Sequence, residues 1–137
     1  ADGTLISGLQ YMGEASETVP LLAIKRPGQA FTAFPVGEAQ RANMHQYTAS
    51  VAIHSDLRLL ALTAPRGNRV FIWDLDSAEL RLDAPLPDCA GVGAVAEGFV
   101  VSSGQGRCRL YDCRTATIVA TPLQLPAGLW DNHLRVV

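Results

Sequence analysis

The histidines are the side chains of this sequence best suited to acid–base chemistry or metal binding. They are His45, His54 and His133. His133 lies two residues after Asp131, and residues two apart in a strand point to the same side, where they could orient each other or begin a metal site. We favour a hydrogen-bonded structural pair there. We interpret His54, two residues before Asp56, as part of a turn between two strands.

The cysteines give little support for metal or redox chemistry. There are three, Cys89, Cys108 and Cys113, and an odd number cannot pair fully within one chain. No second pair of Cys or His stands at zinc-finger spacing from Cys108 and Cys113. We interpret them as small buried hydrophobic residues, with a metal or redox site as the alternative. The sequence also has no nucleophile elbow, P-loop, dinucleotide fingerprint or His-x-x-x-His motif, so it predicts no catalytic residue, metal ligand or cofactor.

Composition indicates one folded domain. The 137 residues are 48% hydrophobic and only 18% charged, which argues against disorder. The net charge is −2 and there is no basic stripe, so nucleic-acid binding is not expected. No apolar run approaches the roughly 20 residues that span a bilayer. No targeting signal is visible, and the start at Ala1 leads us to expect that the chain was cut from a longer one.

One short motif occurs twice. Residues 69–74, RVFIWD, align with residues 107–112, RCRLYD, at an offset of 107 − 69 = 38. The strands that precede them, starting at Leu60 and Phe99, align at an offset of 99 − 60 = 39. A repeat near 38 to 39 residues is close to the roughly 40–45 residues of a four-stranded propeller blade.

Turn residues divide each repeat into strands. We predict four strands in residues 46–84, four in residues 89–123, three in about residues 1–36, where the first strand of a blade is missing, and one final strand in residues 129–137. The fold class is therefore all-β, with antiparallel four-stranded sheets forming a WD-like partial β-propeller of about three blades in a single domain. Residues 37–46 could hold one helical turn.

The repeated aromatic–Asp pair has a structural interpretation. At the end of a third strand, the rings of Trp73 and Tyr111 can fill the space between neighbouring sheets. Asp74 and Asp112 can accept hydrogen bonds from the N–H groups of the following turn. The motif thus predicts packing and a turn anchor, not catalysis.

The strand map collects polar and aromatic loop residues on one face, formed by the loops from strand 2 to strand 3 and from blade to blade. This loop-rich face includes Glu14 and Glu17. Its candidate ligand or partner residues are His45, Arg66, Asp88, Gln105, Trp130, Asp131 and His133. Loops are where binding residues concentrate, although simple solvation of the loops explains the same residues. The opposite face carries turns of generic composition.

The chain also resembles a known family. Trp73-Asp74 is similar to the end of a WD-type blade, but the Gly-His dipeptide of WD repeats is absent. Several segments, in order, resemble the C-terminal part of a bacterial family called domain of unknown function 1513: DGTLISGLQY, RPGQA, QYTASVAI, APRGNRVFIWD, DCAGVGAV, FVVSSGQG and WDNHLR. The resemblance implies a parent similar to seven-bladed propellers, exported by a twin-arginine signal to the periplasm. It also implies genes beside imelysin-like and di-haem proteins linked to iron uptake, and no established catalytic residue.

Two functions follow as hypotheses. The first is a non-enzymatic, exported binding or interaction protein for an unknown protein partner or small ligand, linked to iron uptake. The second is a metal-binding or enzymatic propeller with its site on the loop-rich face. If the chain is a fragment, we also expect it to self-associate through apolar blade faces or unpaired strand edges.

Overall fold

The computed structural model describes residues 2–14, 17–124 and 134. These residues form three antiparallel sheets of three, four and four strands, with very little helix. The predicted all-β class with antiparallel four-stranded sheets is therefore confirmed. Trp130, Asp131, His133 and most of the predicted final strand lie outside the described residues.

Sheet 1 is small and is followed by the α-helix. Its strands are β1 (Leu5–Gly8), β2 (Leu22–Lys25) and β3 (Thr32–Ala33). Helix α1 (Glu38–Asn43) lies where a helical turn was expected. Within the part of the chain that the structure describes, no helix is long and apolar enough to cross a membrane.

Sheets 2 and 3 each have four strands in sequence order. Sheet 2 contains β4 (Ser50–His54), β5 (Leu59–Ala64), β6 (Arg69–Asp74) and β7 (Leu80–Pro85). A 3-10 turn, η1 (Pro65–Gly67), joins β5 to β6. Sheet 3 contains β8 (Cys89–Val95), β9 (Gly98–Ser103), β10 (Cys108–Asp112) and β11 (Val119–Pro122).

The sheets pack face to face and enclose two hydrophobic cores. The first core lies between sheets 1 and 2, the second between sheets 2 and 3. Alternate residues of the middle sheet enter different cores: Leu60 and Phe71 lie in the first, Ala61 and Ile72 in the second. All six residues of β5 are buried, which explains why this strand is almost continuously apolar in sequence.

Strand register confirms the sequence repeat. Leu60 pairs with Trp73 in sheet 2, and Phe99 pairs with Tyr111 in sheet 3. Trp73 is 1% exposed, and its ring stacks on Phe71 with 5.4 Å between ring centroids. Tyr111 is fully buried in the second core. Both rings therefore fill the space between sheets, as predicted.

The aspartates of the repeat anchor turns, as predicted. Asp74 Oδ1 accepts hydrogen bonds from the backbone N–H of Asp76 at 3.0 Å and of Ser77 at 2.8 Å. Asp112 Oδ1 accepts one from the backbone N–H of Arg114 at 3.1 Å. Hydrogen bonds of this kind stabilise the charged carboxylate. The bond from the Ser77 backbone therefore lowers the pKa of Asp74.

The cysteines and His54 have the structural roles that we expected. All three thiols are free and buried, and desolvation raises the pKa of Cys89 and of Cys113 to about 11. The Nδ1 atom of His54 accepts a hydrogen bond from the backbone N–H of Leu57 at 3.2 Å, which closes the turn after β4.

The direction of β1 matches the second strand of a blade. Asp2, before β1, contacts Arg58, which follows β4, while Leu9, after β1, contacts Thr48, which precedes β4. Strand β1 therefore runs antiparallel to β4 and lies beside it much as β5 lies beside β8.

We predict that replacing Trp73 by Ala lowers the free energy of unfolding by about 3–5 kcal/mol, because it leaves a cavity in the first core. The matched control is Phe31→Ala, since Phe31 is 53% exposed. Urea denaturation followed by circular dichroism measures both. A Trp73→Ala midpoint no lower than that of the control would refute the packing role.

Candidate functional site

The loops of the loop-rich face come together in the structure. In the described part of the chain they comprise residues 9–14 and 17–21, 34–49 with helix α1, 65–68, 86–88 and 104–107. Backbone hydrogen bonds join residues 9–14 to residues 34–49: Tyr11 N–H donates to the Gln46 carbonyl at 3.0 Å. Asn68 connects residues 65–68 to residues 86–88, because its side-chain oxygen accepts a hydrogen bond from the Asp88 N–H at 2.8 Å.

A pocket of about 420 Å³ opens on this face, at the edge of the first core. Three segments line this loop pocket: the β1–β2 loop, α1 with the residues that follow it, and η1. The lining residues are Glu17, Val19, Leu21, Arg41, Ala42, His45, Gln46 and Arg66. Leu21 is buried and belongs to the first core, so the pocket has an apolar part and a charged part.

Gly67 makes the close approach that builds the pocket. A Cβ atom added at this position would overlap the carbonyl oxygen of Asn43 at the end of α1. Only glycine allows η1 to lie this near the helix. The approach places Arg66 on the same pocket as His45, and the Arg66 guanidinium lies over the ring of Tyr47 at 4.6 Å from its centroid. This cation–π contact orients Arg66.

The backbone at the pocket adopts an uncommon conformation. His45 and Gln46 are consecutive and both have positive φ, of 48° and 58°. Left-handed residues other than glycine cost free energy and persist where surrounding contacts hold them. Here the Gln46 carbonyl is held by Tyr11, and its side-chain amide donates to the Glu14 carbonyl at 3.0 Å. The strained pair thus holds the β1–β2 loop beside the pocket.

Four of the loop-face residues form two separate groups. His45 and Arg66 line the loop pocket, together with Glu17. Asp88 and Gln105 lie on either side of Gly104, where the Gly104 N–H donates to the Asp88 carbonyl at 2.9 Å, and they do not line the pocket. Glu14 contributes its backbone carbonyl to the β1–β2 loop, not its side chain to the pocket. Trp130, Asp131 and His133 lie outside the described residues.

Three site residues were missed by the sequence analysis. Arg41 and Gln46 line the pocket, and Tyr47 supports Arg66. A weak signal for Arg41 is its place four residues before His45, in the segment where a helical turn was expected, although α1 ends at Asn43 before it reaches His45. Nothing local to Tyr47 points to Arg66, since 19 residues separate them (66 − 47 = 19).

The chemistry of the pocket is that of recognition by charge. It presents two guanidinium groups, one carboxylate and one imidazole beside apolar side chains. Within the described residues, no group of three or more His, Cys, Asp and Glu side chains could hold a metal ion. Among the lining residues that the structure describes there is no Ser, Thr, Cys or Lys nucleophile, and the three thiols are buried elsewhere.

The opposite face carries a charged network instead of purely generic turns. Asp76 receives two hydrogen bonds from Arg58, at 2.9 Å from Nε and 2.6 Å from Nη2. Arg58 also donates to Asp2 at 2.7 Å, and Arg26 donates to the Leu75 carbonyl at 3.0 Å. The network joins the turns of sheets 1 and 2. It has a structural role on the face away from the loop pocket.

Comparison with known proteins assigns the family. The family model described as protein of unknown function (DUF1513) matches residues 1–137. The chain belongs to this family. The family assignment made from the sequence segments is therefore confirmed for the DUF1513 chain. Neither a search of curated proteins nor a search of solved structures found a significant match to it.

We predict that Gly67→Ala lowers the free energy of unfolding of the DUF1513 chain by about 1–3 kcal/mol, because the added methyl group forces η1 away from α1. The control is Gly37→Ala, where the new Cβ meets only the flexible amide end of Gln40. Urea unfolding compares the two. Equal midpoints would show that the close approach at Gly67 does not hold the pocket together.

We predict that the Arg58 network makes stability depend on pH. Arg58 lowers the pKa of Asp76, and Thr4 together with Arg58 lowers the pKa of Asp2. Because both pKa values are lower in the folded chain than the usual value near 3.9, this stabilisation is present above about pH 4 and is lost as the pH falls.

Thermal unfolding between about pH 6 and pH 2 tests this dependence. The melting temperature of Arg58→Gln should fall less steeply with acid than that of the wild type. The control is Arg81→Gln, since Arg81 donates to the Ala116 carbonyl and forms no ion pair with the residues that the structure describes. Parallel slopes for the wild type and both variants would contradict the prediction.

Proposed function

We propose that the chain is a binding module without catalytic activity, and that its ligand occupies the loop pocket. The observation that carries the proposal is the convergence of Glu17, Arg41, His45 and Arg66 on one pocket from three separate segments. A volume of about 420 Å³ lies in the range usual for small-molecule sites. Solvation of the loops does not require that charged side chains lie together around the apolar part of a pocket.

The backbone supports a binding role. Two consecutive left-handed residues, His45 and Gln46, form the turn that follows α1 and line the pocket there. Strained residues other than glycine cluster at ligand sites, where a fixed backbone geometry pre-organises the binding groups. The Arg66–Tyr47 contact also supports a binding role, because it orders a long side chain before any ligand binds.

The residue types favour binding over catalysis. Within residues 2–14, 17–124 and 134, the side chains that line the pocket include no hydroxyl or thiol nucleophile. The thiols at Cys89 and Cys113 are buried with a raised pKa, which keeps them in the unreactive thiol form at neutral pH. The alternative, a metal-binding or enzymatic propeller, would use His45 and Glu17, the two lining residues able to bind a metal.

The cellular setting is also part of the proposal. From the family resemblance we infer that the parent protein is a closed propeller, exported to the periplasm, and that it acts with iron-uptake proteins. The stacking of three blade-like sheets supports the propeller. The partner would be a small ligand or a protein, and self-association through sheet faces is the expected behaviour if the chain is a fragment.

Filling the loop pocket tests the proposal. We predict that Ala42→Trp, which adds a bulky ring at an exposed helix position of the pocket, abolishes ligand binding while the fold is kept. The control is Ala116→Trp, the same change at an exposed turn of the opposite face. Thermal shift assays would screen organic acids, amino acids, nucleotides, sugars, aromatic amines and salts of iron, copper and zinc.

At least one compound should stabilise the wild type and the Ala116→Trp control but not Ala42→Trp. Failure of every compound to bind, or equal stabilisation of both variants, would overturn the proposal. Stoichiometric metal binding that is lost in His45→Ala would establish the metal-binding alternative instead.

A further inference from the structure

We propose that the ligand of the loop pocket is a small organic anion, held by its carboxylate or phosphate group on Arg41 and Arg66 and by an apolar body on Val19 and Leu21. The inference rests on the proposed function, since it names the class of ligand for the same pocket. It comes from the charges of the pocket and from the contacts that its arginines lack.

Some arginines of the described residues form ion pairs and others do not, and the two pocket arginines belong to the second group together with Arg81, Arg107 and Arg109. Four arginines form ion pairs with aspartates: Arg26, Arg58, Arg69 and Arg114. In the described part of the chain, neither Arg41 nor Arg66 has a carboxylate within 4.0 Å. Glu17 lines the same pocket but does not pair with either of them. Two guanidinium groups therefore face one pocket without a carboxylate paired to either of them in the described residues.

The charge of the pocket favours an anion. Arg41 and Arg66 each bring one positive charge to the pocket, and Glu17 offsets one of the two. The remaining positive charge, beside the imidazole of His45, attracts a negative group. A guanidinium presents several N–H donors in one plane, which matches the oxygens of a carboxylate or a phosphate.

The geometry around Arg66 fixes the direction of recognition. The central carbon of its guanidinium lies 4.6 Å from the centroid of the Tyr47 ring. The Arg66 side chain donates no hydrogen bond to the residues that the structure describes, so its N–H groups stay available for an acceptor. Gly67 holds this turn against α1, on which Arg41 lies. Both donors thus stand on elements in direct contact.

The apolar side of the pocket requires an apolar part in the ligand. Leu21 is 3% exposed and forms part of the first core, and Val19 packs against the same core. An inorganic ion would leave the accessible part of Val19 in water and gain only the charge contacts. A ligand with an aromatic or aliphatic body removes apolar surface from water as well.

Three probes with one ring system test the inference: 2-naphthoate, 2-naphthyl phosphate and the neutral 2-naphthamide. Isothermal titration calorimetry measures the affinity of each for the wild type. We expect at least one anion to bind and the amide to bind at least about tenfold more weakly, since a hydrogen bond to a charged group contributes that much. The tighter of the two anions identifies the carboxylate or the phosphate as the preferred group.

Variants connect the affinity to the two arginines. Arg41→Gln and Arg66→Gln should each weaken binding of the anion about tenfold or more. Arg107→Gln removes the same charge from an exposed position of the loop-rich face outside the pocket, and it should change the affinity less than about twofold. Circular dichroism of each variant checks that the fold is kept.

The outcomes separate this inference from the proposed function. If the amide binds as tightly as the anions and Ala42→Trp blocks it, the pocket binds ligands but is not selective for anions, and the inference fails alone. If the anions bind equally well to Ala42→Trp, both the inference and the proposed function fail. Equal losses in Arg107→Gln and in the pocket variants would show a general charge effect and would overturn the inference.

Discussion

Burial of both faces of sheet 2 is the constraint on which the rest of the structure depends. Leu62 of β5 faces the first core and Ala61 beside it faces the second, and neither has exposed surface. Each fully buried large apolar side chain contributes about 1.5–3 kcal/mol. A sheet that is apolar on both faces cannot stay in water alone, so sheet 2 requires a neighbour on each side. Sheets 1 and 3 supply these neighbours.

Polar groups between the sheets fix their relative position. Apolar packing is not directional, so it does not by itself prevent one sheet from sliding over another. The Thr63 hydroxyl donates to the Ala90 carbonyl at 2.6 Å, and the Ser50 hydroxyl accepts from Val92 N–H at 3.2 Å. Both bonds join sheet 2 to sheet 3 at one defined register. The loops at the ends of these strands, including η1, are positioned by the same register.

The sequence predicted the features that depend on local spacing. The 38-to-39-residue repeat places Trp73 and Tyr111 at equivalent positions because the strand register repeats with it. His45 and Arg66 were predicted as loop-face residues because turn residues mark the strand ends. Arg41 and Tyr47 were not, since their roles arise from the contact of Gly67 with the end of α1, which no local pattern encodes.

The left-handed backbone of His45 is not explained by the stability of the fold. Of the two left-handed residues, Gln46 has a structural reason, because its carbonyl and its side chain both hold the β1–β2 loop. His45 is exposed, and its side chain forms no hydrogen bond with the residues that the structure describes. Glycine would adopt the same backbone with less strain. Fold stability alone therefore does not require an imidazole here, whereas a ligand in the adjacent pocket gives the side chain a contact.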